Sequence, residues 1–138
     1  MARRIAGTII VEGTDDEFWP WNDQHIRESH SLGIILNTNQ PISTNEIPDV
    51  RWGGECRVEV RIIARLFQEN SVQIEVRARF FEGMSEDTTE LADEQTLPFT
   101  VPPDARPVHQ TIQLRNTEAG GGDHAEIYLS FTNTLAGE

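Results

Sequence analysis

The sequence predicts a single all-β domain over residues 1–138, an antiparallel β-sandwich of seven to eight strands with at most one short helix at residues 22–30. Apolar and polar residues alternate with a period of two over residues 56–66 and 72–81, as in strands that bury one face. Other alternating segments are separated by turn-forming residues rather than by helices. That arrangement is typical of two packed antiparallel sheets.

The clearest predicted element is a long hairpin over residues 56–81. One row of side chains, which begins with Cys56 and Val58 and resumes at Val72, is apolar, while the other row is rich in arginine and glutamate. A helix would scatter the apolar residues around its circumference. The polar residues 68–70 therefore form the turn, and the hairpin must bury its apolar face against other strands.

The segments before the hairpin are less regular. Residues 3–11 are rich in β-branched side chains and predict a strand, and residues 32–36 predict a second short strand. The segment between them is acidic and aromatic without a strand period, and a short helix can form at about 23–29 with Asn22 or Asp23 as its cap. Residues 37–54 form a polar connection.

The segments after the hairpin continue the β pattern. Residues 82–95 form an acidic loop, and residues 96–101 form a strand that Pro98 restricts to a sheet edge, because proline lacks an amide donor. Residues 108–116 and 123–132 alternate again. The three glycines at 120–122 lie in the turn between these two strands.

Charge and composition exclude several classes of function. The formal net charge is -12, which argues against binding to nucleic acid or to an anionic membrane surface. All 11 basic residues are arginine. Cys56 is the only cysteine, and its place in the apolar row predicts a buried thiol. No apolar segment has the length of a signal-peptide core or a membrane span, so we expect a cytoplasmic protein that does not insert into membranes.

Strand direction predicts where the acidic loops meet. If the strands from residue 56 onward alternate in direction, the turns at 68–70 and 102–105 lie at one end of the sandwich. The loops at 82–95 and 117–122, with the glycine pair Gly53-Gly54, then lie at the other end.

This second end is a candidate Ca²⁺ site, although acidic loops are more often solvated surface. Carboxylates held close together repel one another, and Ca²⁺ removes that repulsion through oxygen ligands. Solvated surface charge is the alternative. The predicted ligands are Glu82, Asp87, Glu90, Asp93, Asn116 and Asp123. The acidic run at residues 15–17, followed by Asp23, is a charged loop held in place by Trp19 and Trp21, unless it forms a second cation site or approaches the same end.

Two other observations concern alternative functions. Trp19, Trp21 and Trp52 are candidates for a carbohydrate-binding platform, unless they plug the end of the sandwich. No catalytic motif is present, so we expect a protein that is not an enzyme; a small hydrolase that uses two of the acidic side chains is the remaining catalytic alternative.

The outer face of the hairpin carries an arginine stripe. It either pairs with neighbouring acids or binds a protein partner or a second copy of the chain. The stripe consists of Arg57, Arg61, Arg65, Arg77 and Arg79. Taken together, the sequence favours a non-catalytic binding or structural module.

Overall fold

The computed structural model describes residues 2–15, 24–104, 106–116 and 123–136 and confirms the predicted fold class. In these residues two antiparallel sheets contain nine strands. Sheet A has the order β2-β1-β9-β8, and sheet B has the order β3-β5-β6-β7 with β4 also paired to β5. The strands are β1 (Arg3–Asp15), β2 (Gln24–Leu36), β3 (Ile42–Glu46), β4 (Val50–Trp52), β5 (Cys56–Leu66), β6 (Val72–Glu82), β7 (Leu91–Val101), β8 (Val108–Arg115) and β9 (His124–Leu135).

The predicted hairpin is β5 and β6. Its register runs without a break from the pair Cys56 and Glu82 to the pair Leu66 and Val72. The 3-10 turn Gln68–Asn70 closes it, with positive φ at Glu69 and Asn70. The inner row is buried from Cys56 to Ala64, as the alternation predicts. No helix in the described residues is long and apolar enough to cross a membrane.

Strand β1 lies in the middle of sheet A, between β2 and β9. Every second residue of β1 is buried, from Arg3 at one end of the sandwich to Asp15 at the other. Between them Ile5, Ile9 and Val11 are fully buried. The same row of side chains therefore begins with a buried cation and ends with a buried carboxylate.

Aromatic rings fill the interior where β1 has glycine. Trp52 stacks on Phe80 with ring centroids 5.7 Å apart, and the Trp52 ring also lies against Gly13 of the opposite sheet. Phe131 covers Gly7, its cross-strand neighbour. The two glycines thus provide the space that the large rings occupy.

The end of the sandwich that contains Arg3 is closed by hydrogen bonds. The Arg3 guanidinium is buried and donates to Asn133 Oδ1 at 3.0 Å and to Asp104 Oδ1 at 2.8 Å. Asn133 Nδ2 donates to the carbonyl oxygens of Asn70 and Val101. The turn between β5 and β6 and the connection after β7 therefore meet at one end, as strand direction predicts.

The short helix expected at about 23–29 does not form in the described residues, because residues 24–29 belong to strand β2. Their period of two is hard to recognise, since the inward positions Glu28 and His30 are polar and interrupt the apolar row of Ile26 and Leu32.

Three other differences concern strand length and number. Strand β7 begins at Leu91 rather than at residue 96, and β3 and β4 form within the connection at 37–54. These segments lack a long apolar row and depend on pairing with β5 or β6. Pro98 lies on β7, an edge strand of sheet B, as predicted.

Gly13→Ala should destabilise the protein by about 1–3 kcal/mol, because the added methyl group forces the packed Trp52 ring to move. A Cβ at residue 13 would lie 2.5 Å from Trp52 Cε2. Gly33→Ala is the matched control, since nothing lies within 4 Å of a Cβ at that position. Urea unfolding of both variants measures the difference; equal stability would contradict the packing described here.

Candidate metal centre

Five acidic or sulfur-bearing side chains meet at the end of the sandwich opposite Arg3, which we call the acidic end. It consists of Asp15, Glu55, Cys56, Glu82 and Asp123. Strand direction brings them together. Strands β1 and β6 end here, and β5 and β9 begin here.

The ligand atoms form two groups that share one carboxylate. One ligand atom from each of Asp15, Cys56 and Asp123 lies within 4.8 Å of the others, and all three residues are buried. The second group, within the same distance limit, consists of Asp123 together with Glu55 and Glu82, which are partly exposed. Asp123 therefore joins an inner group to an outer one.

Both carboxylates of the inner group are buried. Asp15 is 1% exposed and Asp123 is 6% exposed. Burial raises the pKa of the Cys56 thiol strongly, and the charges of Asp123 and Asp15 raise it further. The thiol therefore keeps its proton at neutral pH. A protonated thiol is a weak nucleophile, so the raised pKa disfavours covalent catalysis by Cys56.

Three of the predicted ligands lie at the acidic end. Glu82 and Asp123 are members of the two groups, and the Asn116 side-chain amide donates a hydrogen bond to Glu82 Oε1. The backbone amide of Asn116 donates to the Asp123 carbonyl at 3.1 Å. Asp15 reaches the same end, whereas Asp16, Glu17 and Asp23 lie outside the described residues.

The other three predicted ligands are not in these groups. Asp87 Oδ1 accepts a hydrogen bond from Arg51 at 2.7 Å, and the two oxygens of Asp93 accept the backbone amides of Glu94 and Arg115. Glu90 is exposed. These three carboxylates lie outside the two groups, because a loop position does not determine which donor its side chain meets; their part in cation binding stays a prediction.

Sequence reasoning missed Glu55 and Cys56 as members of the group. Cys56 begins the buried row of β5, where a thiol is typical of an ordinary core residue. Glu55 lies in the tight turn before it, which Gly53 and Gly54 shape with positive φ. The available sequence signal for Glu55 was its position directly after Gly53 and Gly54, because strand direction placed that glycine turn at the acidic end.

Two arginines fix the loop at residues 83–90 above this turn. Arg51 and Arg57 both donate to the Glu86 carbonyl, at 2.8 and 2.7 Å. Glu86 Oε2 accepts the Gly54 amide at 2.9 Å. The loop is thereby attached to the β4–β5 hairpin, and Asp87 is held by Arg51 on that side.

Trp52 cannot form part of an exposed carbohydrate platform. It is 4% exposed, and one face of its ring packs on Phe80. This part of the carbohydrate prediction is wrong, because the alternation in β4 directs Trp52 into the core. Trp19 and Trp21 lie outside the described residues.

The arginine stripe is largely paired within the chain. Arg57 is buried, pairs with Glu59 at 3.2 Å and covers the Phe81 ring. Three other arginines of the stripe also have carboxylate partners. The pairs are Arg61 with Glu46, Arg77 with Glu75, and Arg79 with Glu59 and Glu94. Arg65 is exposed at the end of the stripe.

No protein-family model matches the sequence, and no curated protein is significantly similar to it.

Stability should fall as the pH rises above about 9, the ordinary pKa of a cysteine thiol. The unfolded chain then loses the thiol proton while the folded chain keeps it, which favours unfolding by on the order of 1 kcal/mol per pH unit. Cys56→Ala should remove this component. Urea unfolding across this pH range measures it; an equally steep decline in the variant would contradict the buried, protonated thiol.

Tyr128 requires a second control. The hydrogen bond that it donates to Glu126 raises its pKa to about 12 from 10.0, so its ionisation also favours the unfolded state at high pH. The comparison is therefore made in a Tyr128→Phe background. There the difference between chains with and without the Cys56→Ala substitution reports the thiol alone.

Proposed function

We propose that this protein is a non-catalytic β-sandwich binding or structural module whose acidic end binds Ca²⁺. The observation that supports the proposal is the meeting of four carboxylates, from Asp15, Glu55, Glu82 and Asp123, of which two are buried. They come from four separate segments of the chain. A bound cation would therefore act on the fold as a whole.

Electrostatic repulsion is the physical reason for a cation. Two like charges 4 Å apart repel by about 1 kcal/mol in water and by about 4 kcal/mol at the effective dielectric constant of a protein surface. The ligand atoms here lie within 4.8 Å of one another in each group. A divalent cation replaces this repulsion with attraction.

The donor atoms favour Ca²⁺ over softer metals. Ca²⁺ binds six to eight oxygen atoms, and four carboxylates supply up to eight. The single soft donor is Cys56, which keeps its proton because burial raises its pKa. A thiophilic ion such as Zn²⁺ must displace that proton to use the sulfur, whereas Ca²⁺ needs only the oxygens.

The bound ion would connect the two sheets. Asp15 ends β1 and Asp123 precedes β9, both in sheet A, while Glu55 precedes β5 and Glu82 ends β6, both in sheet B. At the opposite end, the hydrogen bonds of Arg3 and Asn133 already join the sheets. In this proposal Ca²⁺ has the same structural role at the acidic end.

Ca²⁺ should raise the melting temperature relative to chelator-treated protein, by on the order of 10 °C at about a hundredfold excess over Kd. Asp123→Asn should abolish most of this shift, because Asp123 belongs to both ligand groups. Asp87→Asn is the matched control, since Asp87 pairs with Arg51 instead. The measurement is a thermal melt in low-salt buffer with Ca²⁺, Mg²⁺ or Zn²⁺.

An unchanged midpoint with every ion would contradict the proposal. A shift that Asp87→Asn removes and Asp123→Asn leaves intact would place the ion at the outer loop instead. A shift with Zn²⁺ that Cys56→Ser abolishes, without a Ca²⁺ effect, would show that the thiol determines the metal.

For a protein partner, we propose the outer face of sheet B. A groove of about 440 Å³ lies there, lined by Arg61, Arg77 and Arg79 together with Glu46, Glu59 and Glu94. A surface with both signs of charge suits a partner with complementary charges.

The remaining expectations from the sequence stay predictions. The carbohydrate alternative now depends on Trp19 and Trp21, and the hydrolase alternative depends on the acidic side chains alone. The cytoplasmic location is likewise a prediction from the sequence.

A further inference from the structure

Strand β2 lies at one edge of sheet A. It pairs with β1 along all 13 of its residues, from Gln24 opposite Asp15 to Leu36 opposite Arg3, without a bulge. No other described strand pairs with it. About half of its backbone amide and carbonyl groups therefore point away from β1, in a straight row.

The other edges are protected. Strand β7 contains Pro98 and a register shift opposite Phe80 and Phe81, and both features discourage further pairing. The β8 edge is tied to sheet B, because Asp93 accepts the Arg115 amide at 3.0 Å. Strand β3 has five residues and β4 has three. Of the described edge strands, β2 is the longest that has neither a proline nor a register shift.

The side chains of β2 leave room for a neighbouring strand. On the outer face of the sheet, Ser29, Ser31 and Gly33 are small and exposed. On the inner face, Ile26 and Leu32 are only partly buried against the core. Between these two lie Glu28 and His30, whose side chains are 41% and 24% exposed. The inner row of β2 thus has apolar ends and a charged centre.

We propose that β2 pairs antiparallel with β2 of a second copy of this chain, with the twofold axis at Ser29. In this register Ile26 faces the partner's Leu32, and Glu28 faces the partner's His30. Ser29 faces the partner's Ser29. The eight strands of two A sheets then form one continuous sheet.

Several registers place inner-face residues of one β2 opposite inner-face residues of the other. Complementary side-chain pairs favour the one with its axis at Ser29. Moving the axis to His30 places Glu28 opposite the partner's Leu32, and moving it to Glu28 places two glutamates opposite each other. Only the axis at Ser29 places the Glu28 carboxylate opposite the His30 imidazole and Ile26 opposite Leu32 in the central pairs. Within one copy, Glu28 Oε2 lies 3.6 Å from His30 Nε2, so carboxylates and imidazoles of the two copies would alternate across the axis.

Sedimentation and light scattering test the association. The intact chain should have twice the mass of a monomer at high concentration. Ser29→Glu should be monomeric, because it places two carboxylates face to face at the axis. Thr111→Glu should remain a dimer, since Thr111 is an exposed residue on β8, the opposite edge of the same sheet.

Cysteine cross-linking tests the register independently of the glutamate variant. Residues directly opposite in an antiparallel pair have Cα atoms about 4.5–5.5 Å apart, which suits a disulfide. Ser29→Cys should therefore form a covalent dimer under mild oxidation. Ser31→Cys should not, because its two copies would be offset by about 13 Å along the strands. The native Cys56 is buried and does not compete.

Several results would overturn the proposal. These are a monomeric intact chain at all concentrations, a dimer that survives Ser29→Glu, or a dimer that Thr111→Glu disrupts. Cross-linking of Ser31→Cys without that of Ser29→Cys would disprove the register. Loss of the dimer in Arg77→Ala, with Ser29→Glu still dimeric, would assign self-association to the arginine face instead.

Discussion

The period of two in β1 is the constraint on which the rest of the structure depends. Because β1 lies between β2 and β9, its inner face has no access to solvent except at the ends. A 13-residue strand that buries alternate residues must bury whatever stands at its first and last inward positions. Here these are Arg3 and Asp15. A buried charge needs compensation, so each end of the sandwich is organised around one charge of β1.

The two ends of the sandwich surround their buried charge with different groups. At the Arg3 end, Asn133 and Asp104 satisfy the guanidinium, and Asn133 also bonds to two carbonyl groups. The charge of the Arg3 guanidinium is thus compensated by the Asp104 carboxylate and by the neutral side-chain amide of Asn133. At the Asp15 end, the inner group contains a second buried carboxylate, that of Asp123, and the Cys56 thiol. In our proposal a cation occupies this second end, where it would hold the closely spaced carboxylates together.

Two arginines near the acidic end attach the loop at residues 83–90 to the β4–β5 hairpin. Arg51 and Arg57 bind the Glu86 carbonyl, and Arg57 is also covered by contacts with Glu59 and Phe81. They thereby determine which carboxylates of the loop at 83–90 are neutralised. Asp87 is among them, whereas Glu82, at the end of β6, remains with Asp123.

Sequence patterns predicted those parts of the structure that depend on strand parity and direction. The hairpin of β5 and β6 was readable because its inner row is apolar throughout, and counting directions placed Glu82, Asn116 and Asp123 at one end. The full length of strand β2 was not predicted, because the polar side chains of Glu28 and His30 interrupt its inner apolar row. The roles of Asp87 and Asp93 were not predictable, since their donors, Arg51 and the Arg115 amide, are distant in sequence. Cys56 was predicted to be buried, but a single sequence does not show which charges surround a buried thiol.

Terbium luminescence tests the central claim, that the buried end of β1 forms a cation site, most directly. Terbium(III) occupies Ca²⁺ sites and emits when a nearby tryptophan is excited. Trp52 is the cross-strand neighbour of Cys56 and lies beside the inner ligand group. We predict sensitised emission that Ca²⁺ displaces and that Asp15→Asn or Asp123→Asn reduces strongly. Emission that is absent from the folded protein, or unchanged in both variants, would contradict this account.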